Sequence, residues 1–82
     1  MQHWGGIEME ETYRQYVIRS GASPMLTCDE WKPIAQVNWD ENRQQRVKQW
    51  NFYRGFPTYI AAENAGHRIA KKWIDSQVEG EE

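Results

Sequence analysis

Tyr59-Ile60-Ala61-Ala62-Glu63-Asn64-Ala65-Gly66-His67-Arg68-Ile69 admits two foldings, and the choice between them decides what kind of domain this chain makes. Read with a period of two, Tyr59-Ile60-Ala61 is a short strand, Glu63 to Gly66 a turn, and His67-Arg68-Ile69 a returning strand. Read as a helix, Tyr59, Ala62, Gly66, Ile69 and Trp73 share one stripe. The alanines favour the helix. Asn64 and Gly66 favour the turn, because a mid-helix glycine costs about 1 kcal/mol relative to alanine. A helix from about Ala70 to Gln77 follows in either case.

Upstream, the residues read as helices. Asn38 or Asp40 can cap a helix that presents Arg43, Gln44, Arg46, Lys48 and Gln49 to solvent and turns Val47 and Trp50 inward. Gly55 ends it and Pro57 prevents its resumption. Thr27 and Glu30 have the spacing of a capping box, which opens a short helix carrying Trp31, Ile34 and Ala35 on one face. Pro33 fits only the first turns of such a helix, which closes near Val37. Gly5-Gly6 and Gly21-Ala22-Ser23-Pro24 bracket another helix, Glu8 to Arg19, with Tyr13, Tyr16 and Val17 at helical spacing and acids near its start. The chain therefore divides into an N-terminal extension (1–24), a small domain (25–78) and an acidic tail (79–82).

Charge is unevenly placed. The 82 residues carry a formal net charge of −2, yet Arg43 to Lys72 holds seven Lys or Arg and one acid, Glu63. Basic groups at that density neutralise phosphates and release counterions. The glutamines among them match the donor–acceptor edge of adenine in the major groove. A solvated basic face with no ligand, and a face for an acidic protein, are the competing readings.

A chain of this length makes one domain with a small core. Five Trp, four Tyr and two Phe supply much of its apolar area, with Trp31, Trp50 and Trp73 expected at the centre. Cys28 is the only cysteine, so no internal disulfide forms, and it is expected to be a small half-buried residue. His3 and His67 are too few and too far apart for a catalytic or metal pair. Asp29, Glu30, Asp40 and Glu41 sit where helix capping explains them. With no Ser/His/Asp set and no glycine-rich phosphate loop, the expectation is a protein that is not an enzyme and uses no cofactor or metal. The absence of a long apolar run and of a basic-then-apolar N-terminus points to a cytoplasmic protein without membrane contact.

Leu26-Thr27-Cys28-Asp29-Glu30-Trp31 resembles the opening L-T-x-x-E-W of phage excisionases, small winged-helix relatives of the MerR-type DNA-binding domain. Arg46-Val47-Lys48-Gln49-Trp50 is similar to the core of that family's recognition helix. Arg54-Gly55-Phe56-Pro57 resembles the step into the wing, Gly66-His67-Arg68-Ile69 its returning strand, and Lys72-Trp73-Ile74 the last helix. The similarity spans about residues 26–76. The stretch between Trp31 and the recognition-like helix is longer than the family pattern, and residues 1–24 have no counterpart in it.

The order of these pieces tips 59–69 towards the hairpin. The resemblance implies an α+β fold: a small winged helix-turn-helix domain with a short β-hairpin wing and an N-terminal helical extension. The alternative is an all-α small helical domain, of the kind with which a phage-type protein binds and regulates a host protein. For the winged domain the implied function is recombination directionality. Copies bind double-stranded DNA side by side, bend it and assist an integrase in excising a prophage or mobile element. The expected DNA contacts are Arg43, Gln44, Arg46, Lys48, Gln49, Arg54, His67, Arg68, Lys71 and Lys72.

Overall fold

In the computed structural model, which describes residues 6–80, the chain forms four antiparallel strands followed by one helix. The strands are β1 (Gly6–Tyr13), β2 (Tyr16–Pro24), β3 (Trp31–Glu41) and β4 (Gln44–Gln49), and they lie side by side in chain order. The helix α1 (Tyr59–Glu79) packs on β2 and β3. This is a β-rich α+β fold, and the winged helix-turn-helix expectation is overturned. The all-α alternative fails as well, because every described element before Tyr59 is a strand or a loop.

Two turns explain why the helical readings fail. Arg14 and Gln15 have φ of 51° and 72°, and Asn42 and Arg43 have φ of 53° and 66°. Positive φ at both central residues makes the type I′ turn whose twist suits a two-residue hairpin. The residues read as a helix from Glu8 to Arg19 are therefore the β1–β2 hairpin. Those read as a recognition helix are the end of β3, a turn and β4. Asn42 tolerates its turn position well, whereas Arg14 and Gln15 carry no turn signal.

Alternation then sorts the side chains. Ile18, Ser20 and Ala22 on β2, paired with Val37, Ala35 and Pro33 on β3, face the helix. Ile18 and Val37 join Ala70 and Ile74 in a fully buried cluster. Burying an isoleucine contributes about 1.5–3 kcal/mol. Trp39, Trp50 and Trp73 pack against this cluster while staying half-buried, so the tryptophans form the wall of the core and small aliphatics its centre. Residues 6–24, read as an extension, supply half the strands of the sheet and the buried Ile18.

Pro33 sits inside a strand without loss of a ladder bond. On the β4 side, the Ala35 carbonyl accepts from the Trp50 N–H at 3.4 Å. Trp31 exchanges bonds of 2.7 and 2.8 Å with Phe56. Pro33 lies between these two contacts, where β4 has ended and no partner requires its missing N–H.

Residues 59–69 are helical throughout, so there is no wing. Thr58 caps α1, its Oγ1 accepting from the Ala61 N–H at 3.1 Å. Pro57 thus precedes a helix start and does not stop an earlier helix. Gly66, read as a turn residue, is instead a contact point. A Cβ there would lie 3.3 Å from the Ile34 carbonyl oxygen and 3.4 Å from the Cβ atoms of Pro33 and Ala35. The helix lies close on the sheet because that side chain is missing. The expected capping box at Thr27–Glu30 is the loop joining β2 to β3, in which Cys28 is exposed. His3 and the last two residues of the acidic tail lie outside the described residues; Glu79 ends α1 and Gly80 caps it.

Candidate nucleic-acid interface

The helix covers β2 and β3 and leaves β4 at the sheet edge largely exposed. Register fixes which way its side chains point. Arg46 pairs with Trp39 and Lys48 with Val37, so both basic residues, with Gln44, stand on the helix side. Gln45, Val47 and Gln49 stand on the open side. Lys48 Nζ lies 5.5 Å from the centroid of the Trp50 ring, a cation–π distance. Trp50 meets Trp73 edge-on at 5.8 Å, and Trp73 lies 5.3 Å from Trp39. A basic edge therefore borders an aromatic row.

On the open face, Gln49 Nε2 donates to Gln36 Oε1 at 3.1 Å, and Gln36 Nε2 donates to Asn38 Oδ1 at 2.9 Å. β4 itself contains no acid. Asp40 and Glu41, at the end of β3, moderate the positive field near the turn.

Five of the ten expected DNA contacts fall together here: Arg43 at the turn, then Gln44, Arg46, Lys48 and Gln49. The others do not converge on them. Arg54 stands in the loop before α1 with its guanidinium 5.4 Å from the Phe56 ring. Arg68 and Lys72 are exposed one turn apart on the outer ridge of the helix. Lys71 Nζ is held 3.2 Å from Glu11 Oε2 and lies 5.1 Å from the Tyr13 ring centroid, on the β1 side.

His67 is the clearest correction. The expectation of a DNA contact on the returning strand of a wing fails, because His67 is buried between the helix and the sheet, 8% exposed. Its Nε2 lies 2.6 Å from Glu11 Oε1 and its Nδ1 2.7 Å from Ser20 Oγ. A Ser–His–carboxylate set thus exists although sequence reasoning found none. The missed signal was alternation, which puts Glu11 with Met9 and Tyr13, and Ser20 with Ile18 and Ala22, on inward faces. Ser20 is fully buried, so no substrate carbonyl can approach its hydroxyl, and the set ties helix to sheet. The hydrogen bond from His67, then that from Lys71, holds the Glu11 carboxyl below its ordinary value.

A second polar tie closes the other end of the helix. The Tyr13 hydroxyl donates to Asp75 Oδ1 at 2.8 Å, and Arg14 Nη1 reaches the same oxygen at 2.8 Å. These two bonds lower the Asp75 carboxyl, and the first raises the Tyr13 phenol. Among the described residues no group of three or more His, Cys, Asp or Glu is placed to hold a metal ion, and no helix is long and apolar enough to cross a membrane.

No family model, curated protein or solved structure matches this chain.

Proposed function

We propose that this chain binds duplex DNA through the β3–β4 ribbon, with β4 entering the major groove. The observation that carries this reading is the gathering of Arg43, Gln44, Arg46, Lys48 and Gln49 on an edge strand and its turn, on which the helix does not pack. A major groove about 12 Å wide admits a two-stranded ribbon. Arg43, Gln44, Arg46 and Lys48 serve phosphates, and Gln45 and Gln49 on the open face offer carboxamides to base edges.

Recombination directionality, with several copies on DNA beside an integrase, is a role such binding would serve. It rests on the residue resemblance, without the wing that resemblance implied. The second reading is a protein-binding module. It is favoured by the position of β4 at the sheet edge, where a strand from an acidic partner would find unpaired backbone groups.

Fluorescence anisotropy on duplex DNA across a salt series tests the first reading. Three cationic phosphate contacts predict a log–log salt slope of about −3. Arg46→Ala and Lys48→Ala each weaken binding, while Arg68→Ala on the helix ridge leaves it unchanged. Absence of affinity at low salt, in chain shown to be folded by its circular dichroism, overturns the DNA reading and leaves the edge-strand one.

A further inference from the structure

The two edges of the sheet carry opposite charge. β1 lies at one edge and β4 at the other. β1 contains Glu8, Glu10 and Glu11 and no base, whereas β4 contains Arg46 and Lys48 and no acid. Among the described residues no acid forms an ion pair with Arg46 or Lys48. Glu10 pairs with Arg19 at 2.7 Å yet keeps 58% of its side chain exposed, so its carboxylate has room for a second donor.

Each edge also has a row of backbone groups that points outward. The Trp50 N–H donates to the Ala35 carbonyl, which puts the Val37–Lys48 and Trp39–Arg46 pairs at the bonded positions of the β3–β4 ladder. Gln45, Val47 and Gln49 therefore turn their N–H and C=O groups away from β3. On β1 the Arg14-Gln15 turn closes on the Tyr13–Tyr16 pair, so Glu10 and Thr12 turn theirs away from β2. The irregularity between Ile7 and Met9 interrupts that row and leaves Met9 to Tyr13 in regular register.

We infer that copies of this chain associate edge to edge, β4 of one copy pairing antiparallel with β1 of the next. Neighbouring strands alternate in direction across the sheet, so β4 and β1 run oppositely. A copy shifted sideways thus presents the right polarity with its helix on the same face. Four strand spacings of about 4.8 Å set successive helices about 19 Å apart, well over a helix diameter of about 10–12 Å. Matching the outward rows brings Arg46 or Lys48 opposite Glu11 on the helix side. β4 against β4 would oppose bases, and β1 against β1 would oppose acids, and like charges face to face destabilise a strand pair. Charge therefore selects the mixed contact, which is heterologous and propagates from copy to copy. The pairing rests on the edge-strand reading of β4, with β1 of a second copy as the partner, and needs no DNA.

The test is sedimentation velocity of the full chain over a concentration series, at low and at high salt. The expected result is a mean mass that rises past the dimer with concentration and falls with salt. Val47→Pro and Thr12→Pro each remove an outward N–H and leave the chain's own ladder intact. Each variant alone is expected to stay monomeric, because one partner edge is blocked. A mixture of the two is expected to form a dimer and nothing larger, because one free β4 then meets one free β1. Gln49→Pro and Glu10→Pro, at the next outward positions, replace either chain if circular dichroism shows it unfolded. A wild-type chain that stays monomeric, a mass that ignores salt, a proline variant that associates alone, or a mixture that stays monomeric overturns the pairing. An acidic strand peptide of unrelated sequence, followed by fluorescence anisotropy, separates this pairing from the edge-strand reading beneath it. If the peptide binds a wild-type chain that stays monomeric, the edge-strand reading stands and the pairing of copies falls; if it does not bind such a chain, both fall.

Discussion

Ser20 on the central strand β2 and His67 on α1 are joined by a 2.7 Å hydrogen bond buried between sheet and helix. Glu11 accepts only, so its bond to His67 puts a proton on Nε2, and Ser20 Oγ completes the ring's polar partners at Nδ1. His67→Leu strands that hydroxyl in an apolar layer and is expected to cost about 1–3 kcal/mol in urea unfolding. Adding Ser20→Ala in the same chain recovers part of the loss. If the double variant is no more stable than the single one, the bond carries no coupling.

Acid should loosen both polar ties. The ordinary values of Glu11 and Asp75 are 4.5 and 3.8, and both carboxyls are lowered in the fold. Groups lowered in this way stabilise the protein fully above their unfolded values and cease to do so as pH falls through the folded ones. Stability measured from pH 6 downward is expected to decline below about pH 4.5. Glu11→Gln combined with Asp75→Asn flattens that decline.

The β1–β2 turn holds a correctable strain. Gln15 has a φ of 72°, a region that costs an L-residue about 1–2 kcal/mol and glycine nothing. Gln15→Gly is expected to raise stability by about 0.5–1 kcal/mol after the added freedom of the unfolded chain is subtracted. Arg14 is left in place, so its contacts to Asp75 and Glu79 persist. An unchanged or lower melting temperature would contradict this account of the turn.

Two glycines should respond differently to alanine. A Cβ on Gly21 would fall 1.8 Å from the Gly6 carbonyl oxygen, a backbone atom that cannot step aside. Gly21→Ala is expected to cost about 1–3 kcal/mol or more and to disrupt the pairing of β1 with β2. At Gly66 the contacts are 3.3–3.4 Å, and a helix-propensity gain of about 1 kcal/mol offsets the crowding, so Gly66→Ala is expected to be near neutral.

The charge pattern was readable and the strands were not. The basic run follows from residue identity, and the structure divides it between the β3–β4 turn with β4, the loop at Arg54, and the helix at Arg68, Lys71 and Lys72. The helical stripe from Tyr59 to Trp73 was visible too, but Asn64 and Gly66 spoke for a turn, and only packing against Pro33 and Ala35 shows why Gly66 belongs in a helix. The hairpins were hidden for a physical reason. Gln44-Gln45-Arg46-Val47-Lys48-Gln49 is made largely of good helix formers, and Arg14-Gln15 gives no warning of positive φ. Tertiary pairing overrode local preference in both places. Glu11 and Ser20 escaped notice because their inward direction depends on a strand period that the helical reading had removed.

α1 follows all four strands in the chain, yet Ile18 on β2 and Val37 on β3 are buried only beneath it. A two-stranded hairpin is marginal on its own, so the sheet gains its stability only with the helix laid across it, and strands and helix form as one cooperative unit whose last-made segment completes the core.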